Sequence, residues 1–218
     1  MELTRNDMDM LHRSLSKKLI LFTLPIALSS MLQQLFSAAD TAVVGLFGRP
    51  GALAAVGTNT EIVALIVTVS SGLAIGANVL IASRIGKSRT GDLPAIARSV
   101  LLLALAVGLL GAALGQCAVW PLLRLIRTPE DIFSGAALYL RIYLIGYPFL
   151  LLYDFGAAIL RARGDSRSPF FALMLSGIAN VGLNVLLVAV FWLDVAGVAI
   201  ATGVSNALSA ALVLRRLF

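Results

Sequence analysis

The sequence predicts an all-α, polytopic membrane protein with six transmembrane helices. Of the 218 residues, 59% are hydrophobic and only 13% are charged, whereas soluble domains carry about a quarter charged residues. The mean hydropathy is correspondingly high, at +0.95. Six apolar blocks are each long enough to cross the ~30 Å hydrocarbon core of a bilayer, which takes about 20 helical residues. Basic residues cluster between alternate blocks, as they do in multi-pass membrane proteins.

The apolar blocks follow one another along the chain with short polar connections. They are far longer than the ~10-residue strands of a membrane barrel and do not alternate in polarity, which excludes a β-barrel. Pro25 and Pro148 are predicted kink points, because each removes a backbone donor inside a span. The predicted units are a cytoplasmic amphipathic lead-in over residues 1–18 and a six-helix transmembrane lobe over residues 19–217, with spans at 19–47, 52–83, 94–123, 132–160, 169–192 and 195–214.

The basic residues predict which side of the membrane each connection faces. Thirteen of the seventeen lie before the first span, around the second and fourth connections, or after the sixth span. By the positive-inside rule, these regions and both termini are cytoplasmic. Trp120 and Trp192 then fall at the outer ends of their spans, where aromatic belts occur. The remaining basic residues are Arg49, Arg124 and Arg127 on the outer side and Arg141 within the fourth block.

Composition also excludes several classes of function. The formal net charge of +6 does not form the clustered basic face that nucleic-acid binding needs, so no nucleic-acid partner is predicted. One cysteine, Cys117, and one histidine, His12, cannot build a zinc site or a Cys–His catalytic pair. The Gly-Lys-Ser at 86–88 lacks the earlier glycine of a P-loop, since position 81 is Ile. We therefore predict no enzyme activity, no cofactor and no protein-bound structural metal.

Two pairs of glycines have the four-residue spacing that lets membrane helices approach closely. They are Gly72-x-x-x-Gly76 in the second span and Gly111-x-x-x-Gly115 in the third. We expect both pairs to pack against neighbouring helices of the same bundle, and a dimer face is the alternative.

The most informative residue is Asp40, a carboxylate inside the first apolar block. No other formal charge occurs between Leu19 and Phe47. An ionised acid at this depth is costly, so such residues usually face a bundle interior or a wet cavity and mark an ion or substrate path. The plainer interpretation is a carboxylate that caps a helix or is satisfied by its neighbours. We favour the first interpretation, in which Asp40 couples transport to a cation.

Other polar residues of the spans are candidates to share a cavity with Asp40. Gln33 and Phe36 lie seven and four residues before it, on the same helical face. Asn180 and Asn184 of the fifth span are spaced i, i+4, so their side chains project together. The plainer interpretation of the asparagine pair is that it pins two helices together.

The fourth and sixth spans add hydroxyl groups at depth. Thr202 lies in the sixth span, although a lone threonine more often hydrogen-bonds to its own helix. Tyr139, Tyr143 and Tyr147 form an i, i+4, i+8 stripe in the fourth span. We expect this stripe to serve packing, except for Tyr139, whose buried hydroxyl needs a partner.

Three stretches of the sequence are distinctive: the first outer turn with its flanks (38–57), the cytoplasmic end of the second span (72–89) and Leu-Arg-Ala-Arg-Gly-Asp-Ser-Arg-Ser-Pro-Phe (160–170). In these stretches the chain resembles the multidrug and toxic compound extrusion family, the MATE transporters. The last stretch is close to the family's cytoplasmic signature, with Ala162 in place of a glycine. With six spans in the expected places, the resemblance covers nearly the whole chain.

The resemblance implies that this chain corresponds to one lobe of a transporter. Family members are similar to two six-span lobes in one chain with a cavity between them, a 6+6 architecture. This chain resembles the amino-terminal lobe of the DinF-like branch. A second six-helix lobe, in cis or as a homodimer, is then expected, because a lone lobe would leave its polar wall facing lipid. A natural half-size protein, a product of splitting and a truncated chain remain open origins.

The resemblance also implies which residues form the cation site and the substrate cavity. The coupling residues of the DinF-like amino-terminal lobe fall on Asp40, Asn180, Asn184 and Thr202. Polar positions nearby match Gln34 and Tyr139. The expected substrate-cavity residues are thus Gln33, Gln34, Phe36 and Tyr139.

The chain departs from the family at Asn184, where a second carboxylate is expected. Hard cations favour several anionic or carbonyl oxygens, so the loss of one charge weakens the case for sodium. It leaves Asp40 as the single titrating group, which favours a proton as the coupling ion. A sodium ion bound at Asp40, Asn180 and Thr202 is the alternative.

The expected function is that of an antiporter lobe in the cell membrane that exports amphipathic or cationic drugs and metabolites in exchange for a cation. Its expected partners are amphipathic small molecules, the lipid bilayer and a second six-helix lobe. Two alternatives are a lipid-linked-precursor flippase lobe and a non-transporting membrane assembly subunit. A flippase cavity should carry several cationic residues for phosphate, and only Arg141 lies at depth.

Overall fold

The computed structural model describes residues 15–87, 91 and 93–218, with side chains from residue 20 onward. The regular structure of these residues is entirely helical. The helices are α1 (Leu15–Phe47), α2 (Ala52–Thr58), α3 (Thr60–Gly86), α4 (Leu93–Leu125), α5 (Glu130–Ala162), α6 (Arg167–Asn184), a π-helical segment (Val185–Val190) and α7 (Asp194–Leu217). The predicted lead-in lies mostly outside the described residues, as does His12, and its last four residues, 15–18, belong to α1.

The six predicted spans are confirmed. Within the described part of the chain, six helical units are long and apolar enough to cross a membrane, and their bounds lie within three residues of the predicted ones. Two details differ from the sequence-based expectation. The second span is divided into α2 and α3, and the fifth continues from α6 into the π-helical segment. Pro25 and Pro148 lie inside α1 and α5, and the kinks expected there stay predictions.

The division of the second span centres on Asn59, whose side chain is fully buried. Its Nδ2 donates hydrogen bonds to the carbonyl oxygens of Ala55, at 2.9 Å, and of Ala136 in α5, at 3.0 Å. Asparagine readily hydrogen-bonds to nearby backbone groups in competition with regular helix, which favours a break at this position. One polar side chain therefore holds the outer part of the second span against α5.

The fourth span, α5, is the central helix of the lobe. It packs most extensively against α7 and α4, and it also contacts α2 and α3. Two groups of buried apolar residues follow its length, one around Leu151 and Ile159 and the other around Leu140 and Val44. The first span, α1, packs chiefly against α6 at the edge of this bundle.

Glycines allow the closest helix contacts around α5. A Cβ atom at Gly111 or Gly115 of α4 would lie 2.6 Å or 2.8 Å from the side chains of Tyr147 and Leu144, respectively. These two glycines therefore pack inside the bundle, as the sequence predicts. At Gly146, a Cβ atom would lie 2.9 Å from the Cα atom of Gly203 in α7, so here two backbones meet.

The packing prediction is wrong for the other glycine pair. A Cβ atom at Gly72 or Gly76 would have nothing within 4 Å among the described residues. The reason is the orientation of α3, which turns Ala74 and Ala77 toward the core and leaves both glycines on an exposed face.

Each end of the lobe is fixed by one aspartate. At the predicted outer end, Asp194 Oδ1 accepts a hydrogen bond of 3.2 Å from the backbone N–H of Arg49. At the predicted cytoplasmic end, Asp165 accepts from the backbone N–H groups of Arg167, at 3.1 Å, and Ser168, at 2.9 Å. The Arg216 Nε atom lies 3.8 Å from the same carboxylate. The stretch at 160–170 thus joins the start of α6 to the end of α7.

Candidate cation-coupling site

The structure brings four of the predicted site residues into one hydrogen-bonded group. The Nδ2 atom of Asn184 donates to Asp40 Oδ1, and it also donates to Asn180 Oδ1 at 3.1 Å. The Thr202 hydroxyl lies 3.4 Å from Asp40 Oδ2 and also donates to the carbonyl oxygen of Val198 at 3.0 Å. We call Asp40, Asn180, Asn184 and Thr202 the Asp40 group. It joins three spans, α1, α6 and α7.

Helical spacing and a change of helix type place the two asparagines. Asn180 and Asn184 are separated by one turn of α6, so both side chains face α1. Asn184 is the last residue of α6 and directly precedes the π-helical segment. Such segments are rare and often occur at functional sites. Nothing in the apolar sequence at 185–190 distinguishes a π-helix from an α-helix, so sequence reasoning missed this feature.

Burial differs across the Asp40 group. Asn184 is fully buried and Asn180 is 5% exposed, whereas Asp40 and Thr202 are half-buried. The Oδ1 atom of Asn184 is buried and has no hydrogen-bond partner among the described residues. The group therefore has one carboxylate that accepts from an amide and lies near a hydroxyl, and one amide oxygen with unused accepting capacity.

The predicted substrate-cavity residues do not all lie in one place. Gln33 and Gln34 are exposed on α1, while the ring of Phe36 packs directly against Gly177 of α6. Tyr139 is buried in α5 and stacks on Tyr143, with ring centroids 6.2 Å apart. Only Phe36 and Tyr139 therefore point into the bundle on the side of the Asp40 group. Contact of any of the four with a substrate stays a prediction.

The other acids within the spans lie apart from this group. Glu61 is exposed at the start of α3. Asp154 is half-buried in α5, and its Oδ2 atom is buried without a hydrogen-bond partner among the described residues. The Nε atom of Arg161, two turns further along α5, is also buried without a hydrogen-bond partner among the described residues. One of the two carboxylate oxygens of Asp154 is therefore shielded from water.

Comparisons with known proteins agree with this fold and place the chain in a family. The sequence profile of the MatE family matches residues 25–186. The chain is 31% identical over 197 residues to the probable multidrug resistance protein YoeA of Bacillus subtilis. It is 33% identical over 195 residues to the probable multidrug resistance protein YpnP of the same organism. Each alignment covers 88% of this chain, but 42% of YoeA and 43% of YpnP.

A solved structure shows the same relation of lengths. An outward-facing multidrug resistance MATE family transporter of the MOP superfamily superposes with a TM-score of 0.90 at 26% sequence identity. The superposition covers 100% of this chain and 48% of the transporter. The chain thus spans less than half the length of the relatives that it matches.

The six apolar spans and these relatives identify a multi-pass protein of the cell membrane. The profile match extends over most of the chain, from the first span through the fifth. The lobe superposes over its full length on a MATE transporter. The chain therefore belongs to the MatE family, the MATE transporters.

Proposed function

We propose that this chain is one lobe of an antiporter that exports amphipathic, cationic compounds across the cell membrane in exchange for protons. The observation that carries this proposal is the placement of Asp40, the single formal charge of the first span. Its carboxylate is hydrogen-bonded to Asn184 of α6 and lies 3.4 Å from the hydroxyl of Thr202 in α7. A change in its protonation would therefore act on three spans at once.

The Asp40 group offers hydrogen-bond partners to both protonation states of the carboxyl group. Ionised Asp40 accepts a hydrogen bond from the Asn184 amide, and the Thr202 hydroxyl, 3.4 Å away, can donate to it in place of the Val198 carbonyl. Protonated Asp40 would itself carry an O–H donor. The buried Asn184 Oδ1 atom, which has no other partner among the described residues, could accept from it once the amide turns over. The binding of a proton at Asp40 would thus cause a rearrangement of side chains at the junction of α6 and the π-helical segment.

The charge of the group supports a proton over sodium as the coupling ion. Sodium is a hard cation that favours several anionic or carbonyl oxygens. The two side chains that contact Asp40 do so through an amide N–H and a hydroxyl, and the group contains one carboxylate. A proton needs only that carboxylate. The alternative is a sodium ion bound at Asp40, Asn180 and Thr202, and it predicts that sodium itself stabilises the natural chain.

The proposed substrate class follows from the same single charge. A lipophilic cation gains an ion-pair partner in Asp40 and an apolar surface in the surrounding spans. Asp40 would bind either the proton or the cation, which provides an exchange mechanism. YoeA and YpnP, the relatives compared above, are described as probable multidrug resistance proteins.

The proposal includes a second six-helix lobe, either in cis or as a second copy of this chain. The relatives are about twice as long as this chain. Gln33 and Gln34 are exposed on α1, and amide side chains that face hydrocarbon lack hydrogen-bond partners. A second lobe placed against α1 would enclose them together with the half-buried Asp40.

Dye uptake by everted membrane vesicles tests the proposed function. The vesicles are prepared from cells that express the chain, so they retain any partner lobe. They are energised so that the lumen becomes acidic, and ethidium is then added. We expect ethidium to accumulate in the lumen as protons leave it, and to leak out when nigericin collapses the pH gradient. Uptake no greater than in vesicles from cells with an empty vector would contradict transport and favour an assembly subunit.

Asn184→Asp tests the choice of coupling ion. The variant supplies the second carboxylate that the family pattern has at this position, and two carboxylates with a threonine hydroxyl suit sodium better than one. We expect sodium, compared with choline at equal ionic strength, to raise the thermal unfolding midpoint of the variant but not of the natural chain. A sodium-dependent rise in the natural chain would instead support sodium coupling. Asn78→Asp, a matched change elsewhere in the spans, should show no sodium dependence.

A further inference from the structure

A second candidate site lies on the other side of α5 from the Asp40 group. A cavity of about 620 Å³ opens between the end of α4 and the start of α5, within the usual size range of ligand sites. Tyr139 is buried toward the bundle, whereas Arg141 follows two residues later, about 200° around the helix, and is exposed. We call this the α4–α5 cavity. The lining residues used below are Trp120, Arg124, Thr128, Glu130, Phe133 and Arg141.

The charges of the α4–α5 cavity do not neutralise one another. Arg124 and Arg141 face it together with one acid, Glu130, which leaves a net charge of +1. Among the described side chains, the one cation–carboxylate pair within 4.0 Å is Arg216 with Asp165, at the far end of the lobe. Within the described residues, Arg141 therefore has no carboxylate partner, and an anion from outside the chain can pair with it.

The depth of the cavity matches the membrane–water interface. Gln116 Nε2 donates to the carbonyl oxygen of Arg141 at 2.7 Å, which sets these two residues level. Arg124 follows Gln116 by eight residues, about 12 Å nearer the outer end of α4. Long arginine side chains extend toward the interface, so both guanidinium groups can line one cavity.

Aromatic residues support the same depth. The rings of Trp120 and Phe133 pack with centroids 5.1 Å apart, and Arg124 Cζ lies 6.0 Å from the Trp120 ring. Tryptophan is enriched at the level of the lipid headgroups. A ligand in this cavity would therefore meet cations and aromatic surface at headgroup level, which suits a lipid better than a small soluble anion.

A buried hydroxyl completes the donor set. Thr128 is 9% exposed and lines the cavity, and its Oγ1 atom has no hydrogen-bond partner within the described structure. Guanidinium groups bind phosphate oxygens through paired, charge-assisted hydrogen bonds, and a hydroxyl can add another. The net charge of +1 matches the single negative charge of a phosphodiester.

We propose that the α4–α5 cavity binds the phosphodiester of an anionic phospholipid from the outer half of the bilayer. Arg124 and Arg141 hold the phosphate oxygens, Thr128 donates to one of them, and Trp120 and Phe133 contact the glycerol and the start of the acyl chains. This site is separate from the Asp40 group and does not depend on the transport proposal. Free inorganic phosphate is the other source of the same chemistry.

Tryptophan fluorescence gives a direct test. The chain has two tryptophans, so Trp192→Phe leaves Trp120 as the only one. The 218-residue chain with this substitution is kept in neutral detergent. It is titrated with phosphatidylglycerol or with phosphatidylcholine, each with brominated acyl chains, and the quenching of Trp120 fluorescence is recorded. We expect half-maximal quenching at an about tenfold lower concentration of phosphatidylglycerol than of phosphatidylcholine. The headgroup of phosphatidylglycerol has a net negative charge that neutralises the arginines, whereas the choline cation offsets the phosphate of phosphatidylcholine.

Arginine variants and a phosphate competition complete the experiment. Arg124→Gln and Arg141→Gln should each reduce the preference for phosphatidylglycerol, and the double variant should remove it. Arg127→Gln, an outer-side arginine that does not line the cavity, should keep it, and circular dichroism checks that each variant is helical. Equal quenching by both lipids in the natural arginine background, or a preference that survives in the double variant, would overturn the proposal. Displacement of phosphatidylglycerol by inorganic phosphate at similar concentration would overturn the assignment to a lipid.

Discussion

Asp40→Asn is expected to reduce ethidium uptake by everted vesicles to the level of vesicles without the chain. The amide is close to the carboxylate in shape and can still accept a hydrogen bond through its Oδ1 atom, but it cannot gain or lose a proton. The packing of α1 against α6 should therefore survive while coupling is lost. Uptake is measured at equal amounts of membrane-inserted protein, with the lumen acidified in the same way for both proteins.

Glu61→Gln is the matched control for this experiment. It makes the same chemical change at another acid of the spans, which is exposed on α3 and lies apart from the Asp40 group. The control should take up ethidium at the natural rate. Ethidium uptake at the natural rate by the Asp40→Asn protein would contradict the proposed coupling role. An equal loss of uptake in both variants would show that neutralising either acid disturbs the lobe, so the loss would not be specific to Asp40.

Gly146→Leu is expected to cause a large loss of stability of the lobe. A Cβ atom at this position would lie 2.9 Å from the Cα atom of Gly203, so backbone rather than a flexible side chain must move. The affected pair, α5 and α7, makes the most extensive helix contact of the lobe. Overpacking typically costs about 1–3 kcal/mol, which corresponds to a fall of about 2–12 °C in the thermal unfolding midpoint of a chain of this length.

Gly76→Leu provides the comparison at a glycine with free space. A Cβ atom there meets nothing within 4 Å among the described residues, and leucine is the better helix former by roughly 0.8 kcal/mol. Thermal unfolding in detergent, followed by circular dichroism, should give an unchanged or slightly higher midpoint for this variant. Similar losses at both positions would contradict the close approach of α5 and α7.

The fold was predictable from the sequence because the bilayer imposes it. The length of each apolar block, the excess of basic residues in alternate connections and the signature near Asp165 together give six spans and their order. The importance of Asp40 was equally predictable, because a single charged residue inside an apolar span is costly and so indicates a specific role. The asparagine pair was visible through its spacing, although the hydrogen bonds that join it to Asp40 depend on how α1 and α6 pack.

Other features could not be predicted because they depend on which face of a helix meets which neighbour. Gly72 and Gly76 carry the same spacing as Gly111 and Gly115, but α3 turns them outward. Asn59 carries no signal in the sequence beyond its polarity, yet it is fully buried and divides the second span. The α4–α5 cavity combines residues of two helices and of the connection between them, and Arg141 and Tyr139, two residues apart on α5, face opposite sides of that helix.

The π-helical segment after Asn184 has a mechanical consequence. A π-type turn holds one residue more than an α-helical turn, and that surplus can migrate along a helix as its hydrogen bonds exchange. If the surplus moves by one turn toward α6, the residues that it passes rotate by about 100° and advance by about 1.5 Å. Asn184 would then move away from the carboxylate while the fifth span stays helical, and the proton exchange proposed for Asp40 would have a route to the whole of that span.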